Sequence, residues 1–242
     1  PGRRVLAFSA VALAASIIVL LAPTFLLRFQ ADHFTRTGEI RTVVLEDGSR
    51  VTLAGASASK IREEEQRLLV DLIGGEAFFD VVHDAGRRFT VTASDLRVTV
   101  LGTQFNVRLG EETTDAALLE GSVDADTLAG VSQATRLSPG QLIELKTADR
   151  STEVFDIDPA HIGAWRERRL FISDQTVASV AEQIGRYQPG WVSIPDQSLA
   201  SMRVTGVYDL SDPDRALRAL VAPFGGEVIE ISNYLSVLAR VD

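Results

Sequence analysis

The chain has 242 residues, 45% hydrophobic and 24% charged, which is enough length to bury the cores of two domains. Its net charge is −9; residues 1–28 hold three arginines and no acid, so the remainder carries −12, and an acidic body argues against binding a nucleic-acid backbone. It holds no cysteine, which excludes disulfides and thiolate chemistry and leaves the compartment open.

The N-terminal segment VLAFSAVALAASIIVLLAPTFLL is uncharged over residues 5–27, opening at Val5 and closing at Leu27. A helix rising ~1.5 Å per residue crosses the ~30 Å hydrocarbon core of a bilayer in about 20 residues, so this run is long enough. It exceeds the roughly 7–15 apolar residues of a signal-peptide core. Arg3 and Arg4 precede it and Arg28 follows it, a bias that favours a cytoplasmic N-terminus. Residues 1–28 are expected to be a transmembrane helix with a basic N-flank that places the bulk of the chain outside the cytoplasm. Pro1 rather than Met opens the chain, which leaves room for a cytoplasmic segment ahead of it. Residues 29–37 read as a short polar linker.

From residue 38 the pattern shortens to that of strands. In RTVVLEDGSRVTLAG, Val43 and Leu45 alternate against Val51 and Leu53 around Asp47-Gly48. That dipeptide predicts a hairpin closed by a type I′ turn, which needs positive φ at both central residues. RLLVDLIGGEAFFDVV follows, with Gly74-Gly75 between two apolar runs. RRFTVTA, LRVTVLGTQFNVRL, AALLEGSVDA and TRLSPGQLIELKT continue the series. Roughly ten strands and no helix are expected over residues 38–157, as an all-β antiparallel sandwich or roll.

After Asp158-Pro159 helical spacing takes over. TVASVAEQIGRY carries Val177, Val180, Ala181, Ile184 and Tyr187 on one face, with Ser173-Asp174 placed to cap it. DPDRALRALVAPFGG carries Leu217, Leu220, Val221 and Phe224, with Asp212 as N-cap and Pro213 behind it. The two runs align at a spacing of about 40, each between strand-like segments. Residues 158–242 are therefore expected to form a small α/β domain of two strand–helix–strand repeats.

Signatures of catalysis are sparse. The chain has no phosphate-binding glycine loop, no HExxH and no GxSxG. His33, His83 and His161 are scattered without metal-ligand spacing, so no metal and no cofactor is expected. His83-Asp84 reads either as an acid/base pair or as a solvated turn. Glu63-Glu64-Glu65 reads as an exposed charge run, and Trp165 and Trp191 as core or interface anchors.

One stretch breaks its own rhythm. In VLGTQFNV the apolar residues fall on even positions through Leu96, Val98 and Val100, and on odd ones at Phe105 and Val107. Side chains alternate faces along a strand, so the slip predicts a β-bulge, with Gly102 relieving the backbone. A bulge accounts for Gly102 and leaves Thr103 unexplained.

The ordered stretches VVLEDGSRVTL, LLVDLIGGEAFFDVVHDAGRRFTV, VTVLGTQFNV, LLEGSVDA, LSPGQLIEL and WRERRLFIS resemble the FecR family of membrane-spanning anti-sigma regulators. The resemblance covers roughly residues 38–188. Glu46 and Arg88 stand where the family commonly has proline. Residues 165–242 are similar, by pattern, to the short signalling domain of secretins and TonB-dependent transducers.

The resemblance implies a single-pass inner-membrane protein, N-terminus cytoplasmic and bulk periplasmic, touching the lipid bilayer through residues 5–27. It implies relay of a signal, as in iron-uptake regulation, from an outer-membrane TonB-dependent transducer to a cytoplasmic extracytoplasmic-function sigma factor. The sigma factor is held by a segment that in the family precedes the membrane helix, upstream of Pro1 here.

It also implies self-cleavage at Gly102-Thr103, by attack of the Thr103 hydroxyl on the preceding carbonyl; otherwise the chain is not expected to be an enzyme. The run Arg203, Val204, Thr205, Gly206, Val207 and Tyr208 reads either as an exposed strand edge that accepts a partner or as an interior strand. An envelope structural or assembly module that uses the small domain for protein contacts is the alternative function.

Overall fold

The computed structural model describes residues 31–64, 67–84, 86–128, 134–232 and 234–240. The expected membrane span over residues 5–27 lies outside the described residues. Among the described residues no helix is long and apolar enough to cross a membrane.

Thirteen strands precede the α/β unit. They are β1 (His33–Phe34), β2 (Arg41–Val44), β3 (Arg50–Leu53), β4 (Ala58–Glu64), β5 (Arg67–Asp80), β6 (Arg88–Ala93) and β7 (Leu96–Val100). There follow β8 (Gln104–Leu109), β9 (Thr113–Glu120), β10 (Val123–Thr127), β11 (Thr135–Leu137), β12 (Gln141–Lys146) and β13 (Thr152–Asp156).

They form a sandwich whose two sheets share one strand. The first sheet runs β1–β4–β5–β6–β7–β10–β11, and the second β2–β3–β5–β8–β9–β12–β13. The long β5 belongs to both. Residues 67–72 pair with β4 and β6, residues 75–80 pair with β8, and residues 77–80 also pair with β3. Gly74-Gly75 marks the bend within one strand. Gly75 has φ +85, and a Cβ there would meet the Ser57 Cα at 2.6 Å.

Alternation drives the packing. Phe89, Val91 and Ala93 of β6 and Leu96, Val98 and Val100 of β7 turn into the core between the sheets. The Phe79 ring stacks on Phe105 at 4.8 Å and meets Phe89 edge-on at 5.9 Å. Burying each such ring contributes about 1.5–3 kcal/mol.

Two local expectations differ from the structure. The Asp47-Gly48 hairpin exists, yet its turn is not type I′. Val44 pairs with Arg50 and Leu45 N–H donates to Ser49 O at 2.8 Å, leaving a three-residue loop in which Gly48 takes φ +85. Asp47 instead accepts from the Ser49 N–H at 2.9 Å, so one left-handed residue suffices. Within the stretch read as linker, β1 pairs with β4 and Thr35 is buried, donating through its hydroxyl to Ala54 O.

Beyond residue 158 come β14 (Arg169–Thr176), α1 (Val177–Gly185), β15 (Trp191–Ser193), α2 (Gln197–Ala200), β16 (Arg203–Asp209), α3 (Pro213–Val221), β17 (Gly226–Ser232) and β18 (Leu235–Arg240). The first strands of the two repeats, β14 and β16, pair with each other; the second strands, β15 and β17, flank β18. Val177, Val180, Ala181 and Ile184 of α1 and Leu217, Leu220 and Val221 of α3 are all buried in one core.

Asp212 caps α3 as expected, accepting from the Arg215 N–H at 3.1 Å. The cap of α1 is Thr176, not Ser173-Asp174; its hydroxyl accepts from the Ser179 N–H at 3.0 Å. Asp174 sits at φ +48 inside the irregularity of β14, where pairing jumps from Ile172 to Gln175. Trp165 is buried, whereas Trp191 is 58% exposed and anchors no core.

Candidate functional site

Gly102 and Thr103 connect β7 to β8, and these strands lie in different sheets. The phase slip is therefore a crossing from one sheet to the other, not a bulge at Gly102. Each strand points its own apolar set inward, and no single alternation can serve both. The register irregularity falls just beyond, where Gln104 pairs with Glu120 but Phe105 pairs with Leu118, so the additional residue is on β9.

The crossing is held by the segment after β5. Val81 N–H donates to Thr103 O at 3.0 Å and Asp84 N–H to Leu101 O at 2.9 Å. This brings His83 against Gly102. A Cβ on residue 102 would lie 2.6 Å from the His83 Cα and 2.7 Å from its Nδ1. On the other side Gly121 closes in: a Cβ there would meet Gly102 O at 2.7 Å and Thr103 Cγ2 at 2.5 Å. Only hydrogen fits at both positions.

Thr103 is 4% exposed, and among the described residues its Oγ1 has no hydrogen-bond partner. A buried hydroxyl without a partner costs about 1–3 kcal/mol, and its lone pairs stay free to react. The bond between Gly102 and Thr103 thus joins the carbonyl of a residue without a side chain to a residue whose hydroxyl is buried. Of the residues singled out in the sequence, the fold brings together Gly102, Thr103 and His83.

The other singled-out segment lies far along the fold, in the α/β unit. β16 pairs with β14 on one side, and among the described residues no strand covers its other edge. Val204 and Tyr208 turn into the core, and Val207 is 58% exposed.

A third feature was not legible in the sequence. The outer face of the second sheet meets α1 through buried charge. Arg108 Nε donates to Asp115 Oδ2 at 2.7 Å, and Arg108 Nη2 donates to Thr113 Oγ1 at 2.9 Å. Arg186, at the end of α1, donates to Leu109 O at 3.0 Å and to Glu182 at 2.7 Å, with Glu76 at 3.9 Å. Asn106 bridges the units: its amide donates to Glu76 at 2.8 Å and its carbonyl accepts from the Trp165 indole at 2.9 Å. Burial pushes the Glu76 carboxyl up, and Arg186 and Arg108 only partly oppose it. In the sequence these residues occupy the face of each strand that reads as solvent-exposed; the α/β unit covers that face.

Comparison with known proteins now bears on both units. The family model described as FecR protein matches residues 31–124. LSPGQLIEL and WRERRLFIS, which also carried the resemblance, lie beyond that match. No curated protein matches at the sequence level. Two crystal structures of a candidate anti-sigma factor from Parabacteroides distasonis ATCC 8503 share the fold. One, at 1.65 Å resolution, superposes with a TM-score of 0.78 at 24% identity, covering 87% of this chain and 99% of that one. The other, at 2.50 Å, gives 0.79 at 23% identity, covering 87% and 98%. Coverage that wide takes in the α/β unit as well as the sandwich. With the match running from β1 into β10 and across the Gly102–Thr103 crossing, residues 31–124 are a domain of the FecR family.

Proposed function

We propose that this chain is the membrane and periplasmic part of a sigma-factor regulator. The match of residues 31–124 to FecR carries that reading. A fold shared with a candidate anti-sigma factor supports the same role. In this reading residues 5–27 anchor the chain in the inner membrane with its N-terminus in the cytoplasm. A TonB-dependent transducer of the outer membrane delivers the signal to the α/β unit, where the open edge of β16 and exposed Val207 offer a strand-pairing surface. The signal ends on an extracytoplasmic-function sigma factor.

The same reading includes self-cleavage at Gly102–Thr103. The Thr103 hydroxyl adds to the Gly102 carbonyl, the amide becomes an ester, and water hydrolyses the ester. The free buried hydroxyl and the bare Gly102 support it.

Two measurements test these parts separately. Deleting the gene should change transcription of a small promoter set sharing one −35/−10 pair; an unchanged transcriptome overturns the regulatory role. On a denaturing gel the wild-type chain should run as two fragments and Thr103→Ala as one. Equal patterns for the two remove self-cleavage.

A further inference from the structure

We propose that His83 is the group that accepts the proton of Thr103 Oγ1 during self-cleavage; this rests on the self-cleavage reading above. Thr103 is buried, and nothing among the described residues hydrogen-bonds its hydroxyl. An alcohol is a weak nucleophile until a base takes its proton. Gly121 presses on the Gly102 carbonyl side and brings no side chain. The segment 81–84 lies on the other side, fixed by the Val81–Thr103 and Asp84–Leu101 backbone hydrogen bonds. Within that segment Val81 is apolar, Val82 is apolar, and the Asp84 carboxylate accepts from the Gly86 N–H at 2.8 Å. The imidazole of His83 is the basic side chain there, with its Nδ1 within 2.7 Å of the position a Gly102 Cβ would occupy. Imidazole is the side chain best suited to take and return a proton near neutral pH.

The step balances as follows. The Thr103 Oγ1–H bond breaks and its proton passes to the His83 imidazole nitrogen. The oxygen lone pair forms a bond to the Gly102 carbonyl carbon, whose π electrons move to the carbonyl oxygen. On collapse the Gly102 C–N bond breaks, its electron pair goes to the Thr103 nitrogen, and His83 returns the proton there. The product is an ester with a free Thr103 amine. Water then cleaves the ester to the Gly102 carboxylate and the Thr103 hydroxyl, leaving chains 1–102 and 103–242 no longer covalently joined. The glycine at 102 has a second role in this scheme: any larger residue would push the imidazole away from the bond it serves.

His83 is exposed, so its removal leaves the core intact and leaves a gap open to solvent. The test follows the full 242-residue chain, made in cell-free translation with liposomes, pulse-labelled and chased on denaturing gels. Wild type, Thr103→Ala, His83→Ala and His83→Gln are compared, the alanine variant with and without added imidazole. General-base removal slows such steps by about 100-fold or more. We expect that loss in His83→Ala and His83→Gln, and restoration in His83→Ala by imidazole, an effect no purely structural role of His83 would give. Cleavage of His83→Ala at the wild-type rate overturns the assignment, as does a loss that imidazole leaves unchanged; in both cases self-cleavage itself stands. A wild-type chain that stays intact, like Thr103→Ala, overturns self-cleavage and the role of His83 together.

Discussion

Arg108 is 5% exposed and Asp115 6%, and the two are hydrogen-bonded to each other as a buried ion pair. Removing one partner of a buried pair leaves the second desolvated and unpaired, which costs about 3–5 kcal/mol. Arg108→Met should lose stability on that scale, and Arg108→Met combined with Asp115→Leu should lose less than the single change. Urea unfolding of wild type, the Arg108→Met and Asp115→Leu single variants and the double variant reads this directly; a double variant whose loss equals the sum of the two singles would contradict the pairing. Glu76 is a different case, because burial raises its carboxyl despite Arg186 and Arg108, with Asp115 adding to the rise. A carboxyl whose pKa is higher folded than unfolded binds its proton more tightly when folded. Its ionisation opposes folding as pH rises from its unfolded value, near 4.3, through the folded one. Glu76→Gln removes that opposition and keeps an acceptor for Asn106. Its stability relative to wild type should therefore grow as pH rises above about 4.3, until the folded carboxyl has ionised, as thermal melts from that pH upward will show. A constant difference would mean that Glu76 titrates alike in both states.

Among the elements, α1 starts at a residue different from the one its sequence pattern favours. Thr176 accepts from Ser179 N–H, while Ser173-Asp174 are consumed by the irregularity of β14. Losing a side-chain N-cap costs about 0.5–2 kcal/mol. Thr176→Ala should lower the urea midpoint by that margin and Ser173→Ala should leave it nearly unchanged; the reverse order would restore Ser173 as the cap. The helix faces themselves were legible, since Val177 to Ile184 and Leu217 to Val221 repeat at helical period whatever they pack on. The strands were legible for the same reason, as was Asp212-Pro213. What sequence could not supply was partnership. Gly74-Gly75 showed only as a pair between two apolar runs, because nothing local tells a bend within a strand from a turn between strands. VLGTQFNV read as a bulge because alternation records which side is buried, not which sheet buries it. The contact of His83 with Gly102 spans that same crossing, and its two residues are brought together by strand pairing alone.

At the scale of the whole molecule, the Gly102–Thr103 bond lies where cutting it removes one covalent link and no strand pair. The first sheet takes β1, β4, half of β5, β6 and β7 from before the bond and β10 and β11 from after it. The second takes β2, β3 and half of β5 from before, and β8, β9, β12 and β13 from after. Six residues of β8 pair with β5 across the cut, from Gly75 with Leu109 to Asp80 with Gln104. β10 pairs with β7 in the same way, and the Phe105 ring stacks on Phe79. Separating the halves would expose the core of both sheets, so they can part only as fast as the sandwich unfolds. A cleaved protein should therefore elute from native gel filtration as one species of the intact size and resolve into two bands only in denaturant. The same holds for chains 1–102 and 103–242 made separately and co-expressed, which should copurify with no bond between them. Mixing cleaved protein with an excess of labelled 103–242 gives the rate: label should enter no faster than the sandwich unfolds, measured in parallel by urea jump. Exchange well ahead of unfolding, or fragments that separate without denaturant, would show that the interlocked sheets do not hold the halves together.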